Sequence, residues 1–172
     1  MTGRVIAMLL LWVSNPALQS RPDLSGSWVA IPSQFNLTKA FKAPDPHARP
    51  APPPPPAGSP LWLSIRLTHD EPVIELEYLR SDGTTISRER RTTDNTENLN
   101  QRDRGALIQH SKTHWADGAL VTESRLMRED ATILSAVESW QLSPDGTTLT
   151  ITSSFEDSKS LSHVVAVYRR KP

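Results

Sequence analysis

From Leu61 onward, bulky apolar and polar residues trade places one by one, and this alternation constrains the fold more than any other property of the chain. Leu61, Leu63, Ile65 and Leu67 are interleaved with Trp62, Ser64, Arg66 and Thr68, and Ile74, Leu76 and Tyr78 with Glu75 and Glu77. A period of two separates the sets onto opposite faces of a strand, whereas a helix would repeat its apolar residues three and four apart. Further strand-like runs lie at 84–92, 105–115, 119–128, 131–142, 147–155 and 162–170. The connections carry hairpin chemistry: Ser81-Asp82-Gly83, Ala116-Asp117-Gly118, Arg128-Glu129-Asp130, Ser143-Pro144-Asp145-Gly146 and Glu156-Asp157-Ser158. Strands joined in succession by tight turns form an antiparallel meander. Thr93 to Arg104, polar with a single apolar residue, reads as a longer exposed loop.

Ahead of these runs, Ser25 to Ile31 reads as a short first strand closed by Pro32. Nine candidate strands and no long amphipathic helix predict an all-β fold, an up-and-down barrel of about 8–9 strands. A barrel is preferred to a two-sheet sandwich because closure removes exposed strand edges. Period two sorts residues onto faces but leaves open which face points inward.

Between the first strand and Leu61 regularity stops. Nine of the fifteen prolines fall between Pro44 and Pro60, five of them consecutive from Pro52 to Pro56, which predicts an extended polyproline II loop over 44–60. Before it, Phe35, Leu37 and Phe41 are bulky apolar residues in what reads as a loop or one helical turn. Leaving all three in water would waste apolar surface, so they are expected to touch the body of the domain.

The first 20 residues have the order of a secretory signal peptide: Arg4, an apolar segment over 5–13, then Asn15-Pro16 before small or polar residues. As a helix the apolar segment would rise only ~14 Å, about half of a hydrocarbon core, so a membrane-spanning anchor is not expected after the leader is removed. The expected mature chain, 21–172, is one domain, exported to the periplasm or outside the cell. Lys and Arg total 19, as do Asp and Glu, and removing Arg4 with the leader leaves 18 against 19. That balance offers no electrostatic footprint for nucleic acid. The chain has no cysteine, which excludes disulfides, thiolate chemistry and a lipidated cysteine.

Leu24-Ser25-Gly26-Ser27-Trp28 contains the G-x-W that opens the first strand of lipocalins, and the hairpin meander suits their barrel. More closely, the chain resembles a group of small bacterial exported proteins of lipocalin-like type. The shared motifs are an H-x-x-P strand opening (His69 to Pro72), a T-T-D-[GN] turn (Thr92 to Asn95), a W-x-D-G-x-L-V hairpin (Trp115 to Val121) and a W-x-L-S-x-D-G-x-T-L-T segment (Trp140 to Thr150). Asn95 stands where glycine is usual, a substitution that asparagine's tolerance of positive φ permits. All are fold signatures and none is catalytic. The resemblance also implies that an arginine near the end of the last strand packs across the G-x-W tryptophan, with Arg169 and Arg170 as candidates over Trp28.

No catalytic constellation emerges. His110 and His114 sit four apart on a strand, about 13 Å, too far to share one zinc, so no metal site is expected. Glu75 and Glu77 share a face about 7 Å apart, with no apolar setting to tune them for acid–base work. There is no G-x-S-x-G, and the seven glycines form no phosphate loop. No cofactor is implied. The leading expectation is therefore a barrel that holds a small, mostly apolar molecule in its lumen. Lipocalins place a lid after the first strand, which makes Phe35, Leu37 and Phe41 candidate ligand contacts, with Trp62 and Trp115 as further ones. The alternative is a barrel filled by its own side chains, acting as an interaction module through the proline-rich loop.

Overall fold

The computed structural model describes residues 21–41, 64–102 and 106–172. The leader, the proline-rich loop at 44–60 and Trp62 lie outside the described residues. Eleven strands form one antiparallel sheet. In chain order they are β1 (Gly26–Ala30), β2 (Asn36–Phe41), β3 (Ser64–Asp70), β4 (Val73–Leu79), β5 (Thr85–Thr92), β6 (Asp94–Arg102), β7 (Leu107–Ala116), β8 (Ala119–Arg128), β9 (Ala131–Leu142), β10 (Thr148–Glu156) and β11 (Ser160–Arg170). The sheet runs β5-β4-β3-β1-β11-β10-β9-β8-β7-β6, and β2 pairs with β11 beside it. The result is a nearly closed, all-β, up-and-down barrel.

The strand number exceeds the expected 8–9, for two local reasons. The segment predicted as an exposed loop after Thr92 is strand β6, paired with β7 from Asp94↔His114 to Arg102↔Leu107. The segment containing Leu37 and Phe41, predicted as a loop or helical turn, is strand β2, paired with β11 from Val165↔Asn36 to Ser160↔Phe41. A single 3₁₀ turn, Pro32–Gln34, separates β1 from β2, so two short strands meet different stretches of β11.

The two ends of the sheet path, β5 and β6, meet through side chains. The Arg90 N–H donates to Asn100 Oδ1 at 3.1 Å, and Asn100 Nδ2 donates back to the Arg90 carbonyl at 3.2 Å. The carboxamide thus occupies the place of a neighbouring strand's peptide group. Two residues away, Asn98 Nδ2 donates to Thr92 Oγ1 and to the Thr96 carbonyl, both at 3.1 Å.

Cross-strand register settles which faces point inward. Leu149, Ile151 and Ser153 of β10 are buried and stand opposite Leu142, Trp140 and Glu138 of β9. Continuing around the sheet, Trp140 and Glu138 stand opposite Leu120 and Thr122 of β8, and Thr122 opposite Thr113 of β7. On the other side, Ile65 and Leu67 face Tyr78 and Leu76. His110, Lys112 and His114 therefore lie on the outer face, where His110 Nδ1 is 3.4 Å from Glu97 Oε1. Glu75 and Glu77 are also outside, and Glu77 is tied to Arg66 at 2.8 Å and Arg88 at 2.6 Å.

Candidate functional site

Three levels stack along the barrel axis. The lowest is an apolar plug of Leu24, Trp28, Ile65, Leu67, Ile74, Leu76, Leu120, Trp140, Leu149 and Tyr168, all buried. Trp28 is 0% exposed, and its indole Nε1 donates to the Leu24 carbonyl at 3.0 Å. The Arg170 guanidinium lies 4.5 Å from the Trp28 ring centroid and is held there by Gly146 O at 2.9 Å and Ser25 O at 2.6 Å. Arg169 is exposed and stands opposite Val29, on the other face. This geometry also accounts for Gly26. Its φ of +136° is a backbone state closed to residues with a Cβ, and a Cβ there would meet Arg170 Nη1 at 3.0 Å.

Beside the plug, at the same end of the barrel, three of the recurring sequence motifs converge on one carboxylate. Glu71 accepts from Arg21 Nη1 at 2.7 Å, His69 Nε2 at 3.1 Å, Trp115 Nε1 at 2.6 Å and Thr93 Oγ1. The Leu24 N–H donates to His69 Nδ1 at 3.3 Å, so the ring proton sits on Nε2 and points at Glu71. With both ring nitrogens engaged and four donors on the carboxylate, this cluster ties together the N-terminal segment, the β3–β4 and β5–β6 turns and β7. Burial pushes the Glu71 carboxyl up, but the bonds from Thr93, Trp115 and His69 and the Arg21 charge outweigh it and hold the pKa at about 2.

A carboxyl held below its ordinary value of 4.5 stabilises the fold fully above that value and ceases to do so as pH falls toward 2. Glu71→Gln is therefore expected to lose about 1–2 kcal/mol at neutral pH, a figure reduced for the partial exposure of the side chain. The gap between wild type and variant should close between pH 5 and pH 2 in urea unfolding curves. A gap independent of pH would mean that the carboxylate charge contributes nothing.

Above the plug lies a charged belt. Arg91 extends from β5, 1% exposed, and its guanidinium touches β8, β9 and β4. Nη2 lies 2.8 Å from Glu89 Oε2, 3.0 Å from Glu138 Oε2 and 3.5 Å from the Tyr78 hydroxyl. Nη1 donates to Thr122 Oγ1 at 3.1 Å, and Thr122 in turn bonds Thr113 at 2.9 Å. The guanidinium carbon is 5.3 Å from the centroid of the Trp140 ring. Burial pulls the Arg91 pKa down, but the Glu138 carboxylate overrides this and raises it, so Arg91 is a permanent buried cation. Burial raises the Tyr168 hydroxyl, and Glu138 adds to that shift.

The third level is the inner wall beyond the belt. Ser124, Leu126, Leu134, Ala136, Phe155 and Val164 continue the inward-facing registers, yet all are only half-buried. Solvent therefore reaches the inside of the barrel at this end. Among the described residues, Ser87 Oγ, Ser111 Oγ and Trp140 Nε1 are buried without a hydrogen-bond partner, and all three belong to inward-facing side chains.

Of the residues singled out in the sequence, Leu37 stands opposite Val164 and so shares the lumen-side face, 49% exposed. Phe35 is partly buried against the plug. Phe41 ends β2 opposite Ser160, and its side chain, like Trp62, lies outside the described residues. Trp115 packs against the plug and bonds Glu71, with its ring centroid 5.9 Å from that of His69. The structure thus gathers Trp115 with the Glu71 cluster at the plugged end and places Leu37 toward the open one. Arg91, Glu89 and Glu138 had no counterpart among the expected site residues. The one available signal was Glu89 and Arg91 alternating with Arg88 and Arg90, a pattern that also fits a solvated strand.

Among the described residues no group of three or more metal-ligating side chains comes together, and no helix is long and apolar enough to cross a membrane. The sequence matches no protein-family model and no curated protein. Among solved structures, the chain is similar to one titled "REP1-NXSQ fatty acid transporter", with 9% identity, a TM-score of 0.48, and coverage of 87% of this chain and 96% of the other.

Proposed function

We propose that the barrel binds a small, mostly apolar molecule in the unplugged half of its lumen. The observation that carries this reading is the half-buried inner wall. Leu126, Leu134, Phe155 and Val164 face inward by register but are only half-buried, where a filled barrel would bury them fully. Such a wall offers apolar surface to a guest, and the belt beneath it supplies polar groups that orient one. Leu37, on the lumen-side face of β2, is placed to touch a guest near the mouth. The same reading takes the first 20 residues as a leader removed on export, so the mature protein from the exported fraction is the material to study.

Native and denaturing mass spectrometry of that protein provide the test. A discrete mass lost on denaturation is the expected result. A bare protein mass in repeated preparations would instead favour the filled barrel acting through its proline-rich loop. Ala136→Trp gives a second, independent readout, because it adds an indole to the inner wall. An open lumen accommodates it with little loss of stability and a lower bound fraction. A filled one is overpacked, at about 1–3 kcal/mol.

A further inference from the structure

We propose that Ser87 and Ser111, which flank the β5–β6 seam, form a subsite for an uncharged, hydroxyl-bearing head group of the lumen's guest. This rests on the lumen-binding reading and specifies the polar end of its ligand. Ser111, 2% exposed, carries a buried hydroxyl with no hydrogen-bond partner, and so does Ser87. Each is the first inward position above the belt on its own strand. Ser87, opposite Tyr78, precedes Glu89 on β5, and Ser111 precedes Thr113 on β7. A guest entering from the mouth therefore comes to them where it meets the belt. Buried hydroxyls without partners are costly and uncommon, so two beside one seam point to a group that completes them.

The seam's own amides are committed elsewhere. Asn98, opposite Ser111, donates to Thr92 and to the Thr96 carbonyl, and Asn100 bonds the Arg90 backbone through both of its polar atoms. From Ser111 a row of facing residues continues around the wall through Ser124 and Ala136 to Phe155. The row passes from polar beside the seam to apolar away from it. A guest at this level thus has its oxygen at the serines and its chain along Phe155 and Leu134 toward the mouth.

The residues of that row are uncharged, and the belt below is bonded within itself. The Arg91 guanidinium donates through Nε to Glu89 at 3.1 Å and through Nη1 to Thr122 at 3.1 Å. Its Nη2 lies 2.8 Å from Glu89 and 3.0 Å from Glu138. A guest carboxylate would have to displace one of these contacts, and an ammonium would compete with Arg91 for the same carboxylates. Held by the serines alone, either ion loses more by desolvation than two neutral hydrogen bonds return. A hydroxyl loses far less, and it can donate to one serine while accepting from the other.

The test is calorimetric titration of the mature protein at pH 7 with decan-1-ol, decanoate and decylamine, each below its solubility or micelle limit. These probes share a tail and differ in the head group. The alcohol is expected to bind about tenfold more tightly than either ion. Ser111→Ala should bring the alcohol close to the ions. It should leave the guest-free protein as stable as wild type, because the hydroxyl it deletes has no partner. Ser87→Ala gives the same readout from the other side of the seam if the first variant does not fold. Decanoate or decylamine binding as tightly as the alcohol would overturn the head-group assignment and leave lumen binding intact. An alcohol preference that survives both substitutions would overturn the subsite. Variants that lose stability yet bind as wild type does would overturn it too, marking hydroxyls that hold an internal water only. Binding of none of the three probes would overturn the lumen reading itself.

Discussion

Replacing Arg91 with methionine is expected to destabilise the protein by about 3–5 kcal/mol, a large part of the roughly 5–15 kcal/mol that holds a typical domain together. Methionine fills similar volume, so the loss is electrostatic. It leaves Glu89 and Glu138 facing each other across the lumen without the guanidinium that bridges them, one of them 3% exposed. Combining Arg91→Met with Glu89→Gln and Glu138→Gln should recover much of the loss, since removing a whole buried ionic network is far less costly than removing one partner. Urea unfolding of the three proteins at pH 7 checks both statements. A single-variant loss below about 1 kcal/mol would show that the belt is not held by its charges.

Trp28→Ala should be comparably severe, at about 3–5 kcal/mol. The indole is fully buried at the centre of the plug, among Leu24, Ile65, Leu67 and Tyr168, and a cavity of that size cannot collapse between strands whose register is hydrogen-bonded on both sides. The variant also strips the Leu24 carbonyl of its donor and Arg170 of its stacking partner. Trp28→Phe keeps most of the volume and the cation–π face while losing the Nε1 bond, so about 1–2 kcal/mol is expected. Thermal unfolding should show the alanine variant lower by about 10 °C and the phenylalanine variant by a few degrees. Equal shifts for both would assign the role to the hydrogen bond rather than to the packed ring.

The strands were legible wherever their two faces differ in polarity. β3 and β4 follow from Ile65, Leu67, Ile74 and Leu76, and the turns at Ser81-Asp82-Gly83 and Ala116-Asp117-Gly118 separate the elements they were expected to separate. β6 was not legible, because its inward positions are Asn98 and Asn100, polar residues whose task is to bond Thr92 and Arg90 across the seam. No apolar residue marks its inner face. β2 was hidden for a related reason: at the edge of the sheet beside β11, it carries mostly exposed side chains and no clear alternation.

The Glu71 cluster shows a different limit. Apart from Arg21, each of its residues sits in a motif that stood out in the sequence, but Glu71 and Trp115 are 44 positions apart, and local pattern carries no information about such distances. What the sequence by itself determined is the all-β class, the positions of the tight turns and the G-x-W strand, because period-two alternation and turn chemistry act between near neighbours. Only the tertiary structure decided the two additional strands β2 and β6, the convergence on Glu71 and the buried Arg91 belt. In a run such as Arg88-Glu89-Arg90-Arg91 both faces are charged, so whether Arg91 meets water or Glu138 depends on barrel closure, which brings β5 opposite β8 and β9.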